Sequence, residues 1–547
     1  MKRGGRTTPN RRVDGPSSFE GRDQVAVSPR VENRNQETPE WRPRSCGGRL
    51  AASASLTSTL KPKAGGPHRL AVVPLMLTSS HPHDDYLAVG LTEEMTSVLS
   101  QVRGLRVISH AAVDQVRIVV AAGDSARSDF GVDSTLDGDV SRNGSRLGVA
   151  ARFTPNQSDQ GRSVRTIDFD LGSACPVRGL TAERSVTASY IGLDRLEREA
   201  IRMRPTSNLA AYEAYLRGIQ GFRKLYSGSR SDGRIGLEAR GFFEYAIRAD
   251  PRFSTARAYL ANLLLAVMGV IVTTVEVVAP IREHVARALE LSPSSADAHA
   301  ARGNLAMQAD LDWKRAEVEF REALTLNPSS STAHFWYGDL LSLLQRYPES
   351  KKHYRIAHEL DPLWVLPLSQ LAWVYAFSGD LASAIEVAEG NVHRHPDSDF
   401  LRVELAWFYA FADRAADAIR LVEPMADVPS LYTFWNPVAV LAYLGRPDGA
   451  RKMLANSEPT STSRHFPPAD AAALYALIGE DETAFAQLEQ ESREGERIFW
   501  PGYQGPWFDA IRDETRFGTL LHRQGLPSRL VRPLKPGYCA FDAPTNR

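Results

Sequence analysis

The sequence predicts a small α/β domain followed by an all-α solenoid of stacked helical hairpins, so that most of the chain is helical. Two observations predict the solenoid. Residues 371–377 read Leu-Ala-Trp-Val-Tyr-Ala-Phe, and 34 residues later 405–411 read Leu-Ala-Trp-Phe-Tyr-Ala-Phe. A series of prolines, each preceded by a polar residue, follows a similar period at Asp250-Pro251, Ser292-Pro293, Asn327-Pro328, Asp361-Pro362 and His395-Pro396. Their spacings of 42, 35, 34 and 34 residues are typical of helix–turn–helix repeats.

The same period places small residues where two helices of a hairpin cross. They are Ala239, Ala316, Ser350, Ala384 and Ala418, followed four residues later by Phe243, Phe320, Tyr354, Ala388 and Val422. This pattern resembles the tetratricopeptide repeat (TPR). The resemblance implies about seven to nine helix pairs over residues 205–490, with repeats starting near 296, 331, 365 and 399. It also implies that the first helix of each pair lines a concave groove.

The ends of the chain differ in composition from the middle. Residues 1–65 hold 13 Lys and Arg against 6 Asp and Glu, and they show no periodic apolar face. We therefore expect a disordered basic leader, and a second disordered tail at 531–547. The leader is interpreted as a solvated segment or a misplaced start. The alternative is a tether to nucleic acid or acidic lipid.

Short apolar runs between the leader and the repeats predict an α/β unit. Strands are expected at 70–75, 105–109, 133–141, 146–153 and 164–171, with a hairpin turn at Asn143-Gly144. One helix is predicted at 86–100, with Leu91, Met95, Val98 and Leu99 on one face and Glu93 and Glu94 in its first turn. Further helices are expected from about Ala111 and at 180–200.

Residues 66–200 resemble the TolB-like amino-terminal domain that precedes TPR repeats in bacterial signalling proteins. The resemblance rests on the runs 70–75, 90–94, 105–109, 131–133 and 136–140. The junction at 204–218 and the ending at 507–527 also resemble this family. The resemblance implies a sensing or docking module in front of an interaction scaffold. Such proteins often carry a DNA-binding, kinase or cyclase domain upstream, and residues 1–65 are too short and polar to form one.

The predicted groove supplies the candidate binding residues. Counting from the prolines places seven side chains on its surface: Asn304, Phe335, Asp339, Trp373, Phe377, Trp407 and Phe411. The aromatic pairs at four-residue spacing share a helix face and suit an extended peptide or an amphipathic helix. The alternative is that the rings are core between helices. We expect Trp373→Ala with Trp407→Ala to weaken partner capture and to change thermal unfolding by only a few degrees.

The capping segment predicted at 491–530 contains a second aromatic group. Trp500, Tyr503 and Trp507 lie within eight residues and are expected to pack onto the last helices. The alternative is a ligand clamp. Two histidine groups, His81 with His83 and His393 with His395, are interpreted as a solvated loop and a helix end, and metal binding is the alternative for each.

Composition and motifs favour a non-catalytic protein. Net charge is zero, the three cysteines are far apart, and phosphate-binding, dinucleotide and metalloprotease motifs are not found. We therefore expect a cytoplasmic TPR scaffold that captures a protein or peptide partner, without cofactor or metal and without direct nucleic-acid binding. The apolar stretch 259–279 is interpreted as solenoid core with an insertion, and the alternative is a membrane span. The alternative function is a transcriptional regulator or a kinase- or cyclase-associated protein whose output domain is missing or on a partner chain.

Overall fold

The computed structural model describes twelve stretches of the chain. They are residues 68–78, 84–102, 104–108, 132–143, 146–155, 205–226, 233–267, 274–362, 364–426, 436–455, 468–494 and 502–527. Outside them lie the expected leader and tail, the helices predicted from Ala111 and at 180–200, and the strand predicted at 164–171. The histidines at 81 and 83 and the tight turn after Asn143 also lie outside them.

Within the described residues, five strands form one sheet in the α/β domain. β1 (His68–Val72) lies between β3 (Leu105–Ile108) and β4 (Ser134–Asn143) and is parallel to both. The short β2 (Met76–Leu77) follows β1 along β4, and β5 (Arg146–Pro155) pairs antiparallel with β4 over its whole length. The four predicted strands that fall within the described residues are confirmed.

Helix α1 (Asp85–Leu99) connects β2 to β3, and its four predicted apolar positions are buried. The prediction that Glu93 and Glu94 lie in its first turn is wrong, since the helix begins eight residues before Glu93. Both carboxylates are buried instead. Glu93 pairs with Arg223, and Glu94 accepts a hydrogen bond from the hydroxyl of Tyr212.

Sixteen helices follow as eight hairpins in the part of the chain that is described. The first helices are α2 (Leu209–Tyr226), α4 (Ser254–Val267), α6 (Ala296–Leu305), α8 (Ser331–Leu343), α10 (Val365–Phe377), α12 (Asp399–Phe411), α14 (Pro437–Tyr443) and α16 (Pro468–Leu477). The second helices are α3 (Gly233–Ala249), α5 (Thr274–Leu291), α7 (Trp313–Leu326), α9 (Tyr347–Leu360), α11 (Leu381–Arg394), α13 (Ala415–Val422), α15 (Asp448–Ala455) and α17 (Asp481–Glu494). The predicted repeat starts at 296, 331, 365 and 399 are confirmed, and each helix packs on its neighbours in sequence.

A residue with positive φ closes each first helix from α6 onward. These residues are Leu311, Gln345, Gly379, Asp413, Gly445 and Gly479, and the first four recur every 34 residues. The next amide returns to a carbonyl five residues back, as from Arg346 to Leu341 and from Asp380 to Tyr375. This Schellman closure satisfies carbonyls that the helix end leaves unpaired, and it reverses the chain into the second helix.

One hairpin contains an additional residue, which a π-turn at Ala306–Asp310 accommodates at the end of α6. The amide of Asp312 therefore returns to the carbonyl of Ala306, six residues back rather than five. From the N-capping Ser295 to the left-handed Leu311 the chain takes 16 residues, against 15 in the next three hairpins. This insertion accounts for the 35-residue spacing between the second and third prolines of the series.

The helix crossings match large residues with small ones. A methyl group on Gly338 would lie 2.9 Å from the ring of Tyr354, so only glycine allows this close approach. Where the second helix carries a small residue instead, the first helix carries alanine. The residues at these two repeat positions are Gly218 with Phe243, Gly303 with Phe320, Gly338 with Tyr354, Ala372 with Ala388, and Ala406 with Val422. In the later repeats the second helix thus lacks the large aromatic residue, and an alanine in place of glycine on the first helix compensates for the lost volume.

The α/β domain and the first hairpins share one core. A single cluster of buried side chains includes residues from β1, α1 and β4 together with α2, α3 and α4. Gly90 of α1 lies so close to Leu216 of α2 that a methyl group there would approach its Cβ to 2.7 Å. No helix among the described residues is long and apolar enough to cross a membrane, and α4 ends within the stretch 259–279.

Candidate functional site

Four rings on α10 and α12 form a continuous patch, called here the aromatic wall: Trp373 and Phe377 of α10 and Trp407 and Phe411 of α12. Within each helix the two rings are in contact, at centroid distances of 5.6 Å on α10 and 5.7 Å on α12. Between the helices, the rings of Trp373 and Phe411 are 6.2 Å apart. The four-residue spacing thus brings all four predicted rings together.

A buried carboxyl group lies beside the aromatic wall. Glu404 of α12 is fully buried and accepts hydrogen bonds from the hydroxyl of Ser369 and from Nε1 of Trp373, the latter at 2.9 Å. Its other oxygen, Oε1, has no hydrogen-bond partner in the described structure. Burial raises the pKa of Glu404 to about 8, even though both hydrogen bonds favour the ionised form. Nothing in the sequence pattern distinguishes Glu404 from a surface glutamate.

The capping segment, residues 502–527, covers the aromatic wall. Its Trp507 contacts both tryptophans of the wall edge to face, with centroid distances of 5.8 Å to Trp373 and 5.4 Å to Trp407. Only 1% of Trp507 is exposed. Gly505 makes this position possible, since a methyl group there would lie 2.0 Å from the indole of Trp507.

Hydrogen bonds to the carboxyl end of α8 hold the amino-terminal part of the capping segment. The hydroxyl of Tyr503 donates to the carbonyl of Leu343 at 2.5 Å, and Nε2 of Gln504 donates to the carbonyl of Ser342 at 2.9 Å. These carbonyls belong to the last turn of the helix, and that of Ser342 also accepts a hydrogen bond from the amide of Gln345. Arg512 donates to the carbonyls of Tyr503 and Gly505, which fixes the shape of the segment itself.

The other end of the capping segment reaches the third hairpin. Helix α18 (Thr515–Arg523) packs on α17, and the carbonyl of Gln524 accepts a hydrogen bond from Nε1 of Trp313 at 3.1 Å. The predicted packing onto the last helices is confirmed by contacts with α16 and α17, and further contacts extend to α7, α8, α10 and α12. Trp500 lies outside the described residues.

The seven predicted groove residues are all buried, with exposed fractions between 0% and 8%. Four of them form the aromatic wall. Phe335 lies apart from it and packs on Trp364 and Tyr354, at centroid distances of 4.5 Å and 5.8 Å, as core between α8, α9 and the start of α10. Asn304 accepts from Gln308 at 2.5 Å, and Asp339 accepts from the hydroxyl of Tyr354. Burial raises the pKa of Asp339 well above its ordinary value.

A second contact region joins the α/β domain to the carboxyl ends of α7 and α9 and the turns that follow them. This turn edge consists of Asn327, Ser329, Glu359 and Asp361. Asn327 donates to the hydroxyl of Ser100 at 2.9 Å, Ser329 donates to the carbonyl of Leu105 at 3.4 Å, and Glu359 pairs with Arg106. Two of the four, Asn327 and Asp361, are the polar residues that precede repeat prolines.

Arg223 of α2 is at the centre of this contact. Its guanidinium bonds Asp361 at 2.5 Å and also pairs with Glu93 of α1. The exposed fraction of the side chain is 0% for Asp361 and 5% for Glu93. Burial disfavours the charged guanidinium, but the two carboxylates outweigh this effect and raise the pKa of Arg223. No cluster of three or more metal-ligating side chains occurs within the twelve described stretches.

No family model matches this chain. A curated protein of Rhizobium meliloti (strain 1021), described as "Putative adenylate cyclase 3", is 24% identical to it over 238 residues. The match covers 43% of this chain and 39% of that protein, so the chain spans less than half of its relative's length.

Solved structures that are similar to this chain include several TPR proteins. A thermophilic TPR protein of Thermus thermophilus is 18% identical and covers 37% of this chain and 99% of its own, with a TM-score of 0.31. A TPR protein of Parabacteroides merdae is 15% identical, covers 56% of this chain and 99% of its own, and has a TM-score of 0.29. The yeast Tom70 is 15% identical, covers 58% of this chain and 65% of its own, and has a TM-score of 0.34.

Proposed function

We propose that this chain is a non-catalytic interaction scaffold of bacterial signalling, in which the aromatic wall captures a peptide or protein partner. The α/β domain serves as a sensing or docking module. The observation that supports the proposal is the capping segment, because a stretch outside the repeats is held on the wall by an inserted indole and by hydrogen bonds to helix-end carbonyls. Aromatic anchors in desolvated pockets are the usual energetic centres of such contacts.

The chemistry of the wall fits this role. Trp373, Phe377, Trp407 and Phe411 offer ring faces and edges that accept another aromatic side chain, and such ring pairs contribute about 0.5–1.5 kcal/mol beyond the burial of their area. The carbonyls of Ser342 and Leu343 add directional acceptors at one end of the wall. Apolar anchors give affinity and backbone acceptors give register, as in other recognition of short segments.

Site-specific photocrosslinking tests the proposal. Tyr443 borders the wall, with its ring 5.6 Å from Trp407 and 5.7 Å from Phe411, and it is only partly buried. A photoreactive phenylalanine in its place should crosslink one defined protein partner in native cells. The same residue in place of Val318, which is 63% exposed on α7, is the matched control. Equal products from both positions, or none from Tyr443, would contradict partner capture at the wall.

A second candidate function is favoured by the match to a protein named as an adenylate cyclase. In this alternative the chain is a cyclase- or kinase-associated protein, or a transcriptional regulator, whose output domain is on another chain. Copurification with a cyclase, and a change in cyclic AMP production when the chain is added, would support it. Cyclic AMP production by the purified chain alone would contradict the proposal of a non-catalytic scaffold.

A further inference from the structure

We infer that the capping segment is a tethered occupant of the aromatic wall, which a partner segment of the same chemistry displaces. This inference rests on the proposed function of the wall. The chemistry in question is an indole preceded, three to four residues earlier, by side-chain donors such as a tyrosine hydroxyl or a glutamine amide. The capping segment supplies this set itself with Trp507, Gln504 and Tyr503.

The contacts of the segment resemble those of a bound ligand. One side chain, Trp507, is inserted between two indoles that belong to different helices. The flanking donors reach backbone carbonyls, which any segment with the same donors would find. The segment also maintains its own shape through Arg512, whose guanidinium bonds the carbonyls of Tyr503 and Gly505.

The inference follows from what the segment lacks as well as from what it contacts. It does not continue the 34-residue hairpin pattern, and the helix that it carries packs on α17 rather than on the wall. The hairpins pair with their sequence neighbours and remain connected without it. Removal of Trp507 from the wall therefore leaves every hairpin with its partner helix.

Tethering determines the binding affinity that a partner needs in order to displace the segment. A segment joined by a short linker has an effective concentration on the order of millimolar at its own site. A free partner at about micromolar concentration must therefore bind roughly a thousandfold more tightly, or the tethered segment must be weakened first.

A labelled synthetic peptide with the sequence of residues 502–527 tests the inference. It is titrated against three full-length chains: the wild type, Gly505→Ala and Gly518→Ala. The alanine at 505 forces the chain's own Trp507 from its position, while Gly518 on α18 has no neighbour within 4 Å and serves as the matched glycine-to-alanine control. We expect Gly505→Ala to bind the peptide at least about tenfold more tightly than the other two chains.

The peptide with alanine in place of its tryptophan should lose this binding. Equal binding to all three chains, or no binding to a Gly505→Ala chain with native circular dichroism, would overturn the inference. If Gly505→Ala does not fold, hydrogen exchange of the wild type decides. Faster exchange of the amides of 503–512 than of α10 and α12 supports a displaceable segment, and equal exchange overturns it. If the peptide binds as expected but no partner crosslinks at position 443, the inference of a tethered occupant stands and the proposed function is contradicted.

Discussion

The aromatic wall and the turn edge are two surfaces of the same solenoid, and they hold non-repeat parts of the chain by different interactions. The wall binds the capping segment through rings, of which Trp373, Trp407 and Trp507 are at most 1% exposed. The turn edge binds the α/β domain through ions and amides, with Arg223 between two carboxylates. Ring contacts carry no charge that salt can screen or pH can titrate, whereas charge pairing responds to both. The solenoid thus offers a stable docking face and a responsive one on different hairpins.

The largest expected effect is at the wall. Because Trp407 is fully buried against Phe411, Tyr443 and Trp507, Trp407→Ala should lower the free energy of unfolding by about 3–5 kcal/mol. This replaces the sequence-based expectation that the double tryptophan substitution changes thermal unfolding by only a few degrees. Urea unfolding followed by circular dichroism measures the loss. Val318→Ala is the exposed control, and a loss below about 1 kcal/mol at Trp407 would show that the ring faces solvent.

The next largest effect is at the turn edge. Arg223→Ala leaves the buried Asp361 without its guanidinium, and we expect a loss of about 3 kcal/mol in the same unfolding experiment. Hydrogen exchange should rise in α1 and α2 and remain unchanged in α12. Arg420→Ala, at a side chain that is 76% exposed, should change stability by less than about 0.5 kcal/mol. If exchange rises equally in α12, the two surfaces are not independent.

The buried carboxyl group of Glu404 makes the folding stability contributed by the wall depend on pH. Its pKa is raised from 4.5 to about 8, so the stability contributed by its bound proton is complete below pH 4.5 and is lost as pH rises through about 8. Glu404→Gln keeps an acceptor for Nε1 of Trp373 and should remove this pH-dependent loss of folding stability. The loss is on the order of a few kcal/mol between pH 5 and pH 9. Unfolding across that range measures it, with Glu386→Gln on the exposed face of α11 as the control. Parallel profiles for wild type and Glu404→Gln would refute the role of this proton.

The smallest effect is at the partly exposed ion pair of the turn edge. The side chains of Arg106 and Glu359 are 29% and 38% exposed, so Arg106→Gln should lower stability by less than about 1 kcal/mol. This loss should vanish at about 1 M salt, where charges are screened within about 3 Å. The loss from Trp407→Ala should persist in the same buffer. Salt dependence of both losses would remove the distinction between the two surfaces.

Local periodicity was sufficient to predict the hairpins. The starts at 296, 331, 365 and 399 agree with the observed helices because the N-capping residues and the crossing alanines recur with the same period as the prolines. The same period predicts that the ring pairs of α10 and α12 share one face. These features depend on residues within one repeat and its neighbour, which is the range over which a sequence period carries information.

Contacts between distant parts of the chain could not be predicted in this way. Trp507 lies 100 residues beyond Trp407, and no period relates the two, so the covering of the wall was not foreseen. Glu93 and Glu94 are predicted in the first turn of the helix, and their burial could not be predicted because their partners, Arg223 and Tyr212, lie more than 100 residues away. Burial of a charged residue depends on such partners, and the local sequence does not contain them.

The π-turn at Ala306–Asp310 has a consequence for how this solenoid tolerates changes in length. The added residue is absorbed before the left-handed Leu311, and the next three positive-φ positions follow at intervals of 34. An insertion or deletion at this joint is therefore confined to one helix end and leaves the phase of every later hairpin intact. Evolution can lengthen the solenoid locally at such joints without shifting the rings on which Trp507 rests.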